Sequence, residues 1–194
     1  MNEVAEVVKN ILSAIYKGFF SSLVLAAVFM LAYIGAKELG WKQMFKKWFY
    51  DFGHNKEFRR TFFLAFYTAM ILFNTLLGRS YWASSLGNVF GKWALYTPGI
   101  GINVDGVINI LFFIPFIFML FWIYGNRIFK RENIRFIDAV VKAVIITFCI
   151  SGSIEFAQLV FKLGTVQLSD LVYNTLGGVI GGIIYYLYYR IKNR

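Results

Sequence analysis

The sequence contains one cysteine, two prolines and one histidine among 194 residues. A single cysteine excludes a disulfide scaffold, and two prolines exclude a collagen-like chain. His54 has no second histidine or cysteine for a metal site, so we expect it to be a solvated loop residue, and we expect neither a metal nor a cofactor. Cys149 lies in an apolar run and is expected to be a small packing residue rather than a reactive thiol. Charged residues are also scarce, at 15% against roughly 25% in an ordinary soluble domain.

Long apolar runs are abundant, and hydrophobic residues make up 59% of the chain. A helix needs about 20 mostly apolar residues to cross the hydrocarbon core of a membrane. The runs that meet this need are residues 18–36, 61–78, 106–126, 143–161 and 171–189. We therefore predict an all-α bundle of five transmembrane helices. Residues 1–60 form an N-terminal span with a cytoplasmic amphipathic segment, and residues 61–194 form a four-helix membrane core.

The distribution of lysine and arginine predicts the orientation in the membrane. Fourteen of them fall in residues 37–60, in residues 127–138 and after the last span, and five fall in the alternate segments. The positive-inside rule then predicts an external N-terminus and a cytoplasmic C-terminus, so the net charge of +10 needs no nucleic-acid partner. Residues 41–52 interleave lysines with aromatic side chains, which predicts an amphipathic helix on the anionic inner leaflet, with partner binding as the alternative.

Polar residues within the spans gather at the predicted outer end. Glu155 lies roughly 12 Å below the outer boundary at 1.5 Å of rise per residue. A charged group near the bilayer centre costs about 2.5–3.5 kcal/mol, so Glu155 is expected to face protein or water. We expect one polar pocket between spans two to five, open to the outside; the alternative is that these groups only hold helices together. The candidate ligand-binding residues are Arg79, Asn109, Glu155, Gln158, Asp170 and Asn174.

Glycines in span five form two overlapping GxxxG motifs, which allow two helices to approach closely. These glycines are Gly177, Gly178, Gly181 and Gly182. Packing against span four is one interpretation, and a homodimer through the same four residues is the other.

Three motifs in the C-terminal half resemble the VanZ-like family. They are an N-x5-P-F helix at Asn109, an E-x2-Q helix at Glu155, and a D-x3-N-T-x-G-G helix start at Asp170. The resemblance covers about residues 105–190 and implies a multi-pass protein of the bacterial cell membrane. Named family members confer low-level resistance to the glycopeptide teicoplanin. Many relatives have a basic residue between the second and third motifs; here that loop has only Lys162 at its start, and Arg79 is the candidate substitute.

Two function classes lead. In the first, a non-enzymatic cell-envelope protein binds an outer-leaflet amphiphile, either a lipoglycopeptide antibiotic such as teicoplanin or a lipid-linked cell-wall precursor. In the second, an intramembrane enzyme modifies an envelope lipid or glycan, with Glu155 and Asp170 as its acid and base. The spans contain no histidine and no metal-ligand cluster, which favours binding. A transporter is third, since the chain has no internal repeat of the kind that marks many transporters.

Overall fold

The computed structural model describes residues 3–35, 40–77, 86–130 and 133–193. The helices within these ranges are α1 (Glu3–Gly35), α2 (Trp41–His54), α3 (Lys56–Leu72), α4 (Val104–Phe129), α5 (Phe136–Phe161) and α6 (Leu168–Lys192). A π-helical turn, Phe73–Leu77, continues α3, and a short antiparallel hairpin of β1 (Tyr96–Thr97) and β2 (Gly101–Ile102) precedes α4. Five helices, all except α2, are long and apolar enough to cross a membrane, as predicted.

The five long helices begin before the predicted spans, and at α3 and α4 a polar side chain caps the start. α3 begins at Lys56 rather than at residue 61, since the Asn55 side chain accepts hydrogen bonds from the backbone N–H groups of Glu57 (2.9 Å) and Phe58 (3.2 Å). α1 begins at Glu3, well before the predicted start at residue 18. Its first turns contain no proline or glycine to interrupt the helix.

One face of α6 packs against the backbone of α4. A Cβ atom on Gly177 would overlap the carbonyl oxygen of Ile110. One turn later, a Cβ atom on Gly181 would overlap the carbonyl oxygen of Ile114. Close backbone contact of this kind requires glycine, so these two residues set the distance between α4 and α6.

A second glycine face of α6 packs against α5. A Cβ on Gly178 would overlap the hydroxyl of Thr147, and one on Gly182 would lie 2.8 Å from the Cβ of Ala143. Intramolecular packing against span four was one prediction from these glycines, and it is present together with packing against span three. All four glycines are buried between α4 and α5. A homodimer through them stays a prediction.

The first three helices form a second core, in which α2 is amphipathic. Met44 is buried against α1 and α3, and Trp48 stacks on Phe52 with 5.2 Å between ring centroids. Phe45 and Phe49, each one position further along, flank this buried face and remain exposed. The predicted helix at residues 41–52 is therefore present, although part of its aromatic face packs on the protein.

The structure corrects two predictions for single residues. Cys149 is exposed on α5 rather than packed. The buried face of α5 runs through Ala143, Thr147 and Ser151 at intervals of four residues, and Cys149 lies between two of these positions. His54 is the last residue of α2 rather than a loop residue, and its ring stacks on Tyr50.

Candidate functional site

A tight turn between α5 and α6 places their polar residues side by side. Lys162 adopts a left-handed conformation (φ 54°) at the end of α5, and the Leu163 N–H donates to the Gln158 carbonyl at 2.9 Å. Such a C-terminal cap reverses the chain within a few residues. Gln167, which precedes α6, thereby reaches the side chain of Glu155. We refer to Glu155, Gln158, Asp170 and Asn174, with Ser151, as the polar cluster.

Both acids lie at the N-terminal end of α6. The Glu155 carboxylate accepts a 2.9 Å hydrogen bond from the backbone N–H of Gln167, the N-cap residue of α6. Asp170 lies in the first turn of the same helix. A helix N-terminus has unpaired N–H groups and a partial positive charge, which stabilise a nearby carboxylate by about 0.3–1 kcal/mol. The fold thus provides electrostatic support for two carboxyl groups that are each only 8% exposed.

The two amides of the polar cluster connect three helical segments. The Gln158 side-chain N–H donates to the carbonyl oxygen of Thr75 at 2.8 Å, in the π-helical turn after α3. The Asn174 side-chain N–H donates to the hydroxyl of Ser151 at 2.8 Å. The sequence predicted one pocket between spans two to five, and these bonds join the segments of spans two, four and five.

Two buried acceptors of the cluster have no hydrogen-bond partner in the described part of the chain. They are the side-chain carbonyl oxygens of Gln158 and Asn174. These two residues are only 1% and 3% exposed. The Gln158 amide must keep this orientation, because the Thr75 carbonyl oxygen can only accept. An unpaired buried carbonyl costs about 1–3 kcal/mol. The polar cluster therefore has two buried amide oxygens that suit a ligand with N–H or O–H donors.

The segment that precedes α4 covers the start of α6. The Leu168 N–H donates to the Val89 carbonyl at 2.8 Å, and the Tyr173 hydroxyl donates to the Lys92 carbonyl at 3.0 Å. Gly91, with a φ of 69°, packs against Ser169 so closely that a Cβ would overlap its hydroxyl. We call residues 86–103 the covering segment. The sequence predicted a pocket open to the outside, and this prediction is wrong, because Glu155, Gln158, Asp170 and Asn174 are all buried. The covering segment lies beside them on the start of α6.

The remaining predicted residues contribute less to this arrangement. Asn109 is half-buried on α4, and its side chain makes no hydrogen bond to another described residue. Arg79 lies outside the described residues. Sequence reasoning missed two members of the site, Ser151 and Tyr173. Ser151 had a detectable signal, since it lies one turn before Glu155 on the same helix face.

The comparisons with known proteins agree with the motifs. No curated protein and no solved structure matches the chain. The VanZ/LLP1 family profile matches residues 19–189, which extends well beyond the C-terminal half in which the motifs lie and takes in α2 and about half of α1. The matched range also contains the whole polar cluster. The chain therefore belongs to the VanZ/LLP1 family of membrane proteins.

Proposed function

We propose that this chain binds the polar head of an outer-leaflet amphiphile at the polar cluster, and that this binding confers glycopeptide resistance on bacteria. The ligand class is a lipoglycopeptide such as teicoplanin or a lipid-linked cell-wall precursor. Membership of the VanZ/LLP1 family supports a link to glycopeptide resistance. The ligand and its site are the parts of the proposal that require an experiment.

The observation that carries the proposal is the pair of unpaired amide oxygens on Gln158 and Asn174 beside two buried acids. Groups that only tie helices together satisfy one another, since each unpaired buried carbonyl is costly. A ligand with hydroxyl, amide or ammonium groups would supply the missing donors. Sugars and peptides of the cell envelope carry such groups in quantity.

The depth and surroundings of the cluster favour an amphiphile over a soluble ligand. Glu155 precedes the end of α5 at Phe161 by about 9 Å, at 1.5 Å per residue. The adjacent surface of α5 is apolar, with Phe156 at 66% and Val160 at 55% exposed. A ligand head at the cluster can therefore keep an acyl chain in contact with lipid. Entry requires the covering segment to move or the head to pass between helices.

The test is drug susceptibility in a glycopeptide-sensitive Gram-positive host that expresses the chain. We expect the minimal inhibitory concentration of teicoplanin to rise several-fold, and that of a glycopeptide without an acyl chain to change little. Glu155→Gln keeps the acceptor for the Gln167 N–H and removes the charge, and we expect it to abolish the effect. Asp105→Asn changes an exposed acid in the first turn of α4 and is the matched control.

Purified protein in nanodiscs distinguishes binding from turnover. Wild-type protein should retain teicoplanin or a lipid-linked precursor, detected by native mass spectrometry, and the recovered ligand should have an unchanged mass. A changed mass would instead establish the enzymatic alternative that uses Glu155 and Asp170. Wild-type resistance and retention in Glu155→Gln, with normal membrane levels, would show that the cluster is not the binding site.

A further inference from the structure

Two cavities lie end to end along the interface of α1 and α3. The first is at the end of the bundle opposite the polar cluster, and the second extends from it to Leu77 in the π-helical turn. The first, of about 430 Å³, has a charged lining that includes Lys47, Asp51, Glu57, Arg60 and Arg127. We call it the charged cavity. The second, of about 480 Å³, is lined almost entirely by apolar and small side chains, among them Leu25, Phe29, Leu64, Ala65 and Leu72. We call it the apolar groove.

The two cavities form one continuous cleft. On α1 the lining passes from the groove to the charged cavity along a single helix face, through Leu25, Ala26, Phe29, Met30, Tyr33 and Ile34. Thr61 of α3 and Tyr124 of α4 line both cavities. A charged recess that opens into an apolar groove matches the two parts of an amphiphile, a polar head and a hydrocarbon tail.

Two arginines in the charged cavity are positioned by aromatic rings. The Arg60 guanidinium lies 4.2 Å from the ring centroid of Trp122, and that of Arg127 lies 5.7 Å from the ring centroid of Tyr124. Neither forms an ion pair with a carboxylate among the residues that the structure describes. A guanidinium on a ring face keeps its N–H groups directed outward, where they match the oxygens of a phosphate.

The remaining charges leave the cavity with a positive excess. Lys47 and Asp51 pair with each other at 3.2 Å. The lining then presents Arg60 and Arg127 against a single acid, Glu57. An anion is thus favoured over a neutral or cationic group. Basic pockets between transmembrane helices bind anionic lipid head groups on the same principle.

The apolar groove is long enough to hold a hydrocarbon chain of one leaflet. It follows α3 from Thr61 to Leu72, about 16 Å at 1.5 Å per residue, and continues to Leu77 in the π-helical turn. The hydrocarbon core of a bilayer is about 30 Å thick, so one leaflet is about half of that. A lipid with its head beside Arg60 would therefore reach the middle of the membrane with its chain in the groove.

We propose that this cleft is a binding site for an anionic glycerophospholipid, with its phosphate between Arg60 and Arg127 and one acyl chain in the apolar groove. The site is separate from the polar cluster and does not rest on the function proposed for it. It lies at the basic end of the bundle and takes a lipid from the leaflet on that side.

Binding is tested on the full chain in detergent by native mass spectrometry, with phosphatidylglycerol and phosphatidylcholine of the same acyl chains. We expect wild-type protein to retain phosphatidylglycerol in clear preference to phosphatidylcholine. The double variant Arg60→Gln/Arg127→Gln should weaken phosphatidylglycerol binding about tenfold or more. Arg190→Gln removes an exposed arginine near the end of α6, outside both cavities, and should change nothing.

Ala65→Phe tests the tail separately, because it fills the groove without a change of charge. We expect it to weaken the retention of both lipids. Equal retention of the two lipids by wild-type protein would overturn the proposal and would mean ordinary annular lipid; this comparison needs no variant to fold. Displacement of the lipid by glycerol phosphate at equal concentration would also overturn it, since the site would then hold a soluble phosphate.

Discussion

The Gln158 side-chain N–H donates a 2.8 Å hydrogen bond to the carbonyl oxygen of Thr75, and this bond ties α5 to the π-helical turn after α3. Carbonyl groups near the end of a helix lack intrahelical donors, and a π-helical turn often marks a functional position. The same glutamine leaves its own carbonyl oxygen unpaired and buried. Gln158 therefore has a structural role through its N–H group and is available to a ligand through its oxygen.

We expect Gln158→Leu to lower the free energy of unfolding by about 1 kcal/mol. The Thr75 carbonyl loses its donor, which costs about 1–3 kcal/mol, and the removal of the unpaired Gln158 oxygen offsets part of that cost. Gln43→Leu, on the exposed surface of α2, is the control. A melting curve in detergent measures both. A variant as stable as wild type would mean that the bond to Thr75 contributes nothing to the fold.

Stability should require glycine at position 177 on α6 but not at position 152 on α5. Gly177→Ala places a methyl group on the Ile110 carbonyl oxygen, a backbone atom that cannot turn away, and should destabilise the fold by about 1–3 kcal/mol. Gly178→Leu should reduce the yield of folded protein, because a side chain there overlaps that of Thr147 and separates α6 from α5. Gly152→Ala is the matched control, since a Cβ there meets nothing within 4 Å.

The control Gly152→Ala should change stability in the opposite direction. Alanine is more favourable than glycine inside a helix by about 1 kcal/mol, so Gly152→Ala should be neutral or slightly stabilising. Thermal melting and the yield after purification report both effects. Equal melting temperatures for Gly177→Ala and Gly152→Ala would contradict the close approach of α4 and α6.

The spans were predictable from sequence, and their ends were not. Hydropathy reports the residues that must contact lipid, so it located α4 at residues 106–126 within the observed Val104–Phe129. The start of α4 depends on the Asn103 side chain, which accepts from the Gly106 N–H at 3.2 Å. Such a cap is a local polar interaction in water, to which an average of hydropathy is insensitive.

The candidate site was also predictable only in part: its acids were, and the covering segment was not. Glu155 and Asp170 stand out because acids are rare in apolar runs. The covering segment has no such signal. Its contacts with α6 use backbone carbonyls of Val89 and Lys92, which any residue type supplies, so only the folded chain identifies them. These contacts hold the covering segment on the start of α6, beside the buried cluster.

The predicted orientation is open to a direct test by labelling. Gly87 and Asn126 are both exposed. Gly87 precedes the start of α4, and Asn126 lies near the end of that helix. Single cysteines at these positions, in a Cys149→Ala background, should react differently with a membrane-impermeant maleimide on intact cells. We expect position 87 to label and position 126 to remain unlabelled until the cells are opened. The reverse pattern would mean an inverted topology and would place the polar cluster at the cytoplasmic leaflet.

The two acids should act as one unit if they serve one site. We expect Glu155→Gln and Asp170→Asn each to abolish teicoplanin resistance, and the double variant to be no worse than the worse single one. Residues that act in one site are not additive. Melting curves of all three must stay within a few degrees of wild type. Independent effects that add, or losses that follow the melting temperature, would assign the acids to helix packing alone.

Gly91 and Gly99 provide the sharpest test of the covering segment. Both have positive φ, of 69° and 81°, so alanine should strain the backbone similarly at either position. They differ in surroundings: a Cβ on Gly91 would overlap the Ser169 hydroxyl, whereas one on Gly99 meets nothing within 4 Å.

We therefore expect Gly91→Ala to destabilise the protein more than Gly99→Ala, because only the first pushes the covering segment away from the start of α6. Because the backbone strain is similar in the two variants, the difference between their melting temperatures measures the contact with Ser169 alone. Displacement of the segment should also expose the amide of Leu168, whose N–H donates to Val89, to faster hydrogen exchange in Gly91→Ala alone. If both variants exchange at the same rate, the segment does not seal the cluster. A ligand head then reaches Glu155 without any movement of residues 86–103.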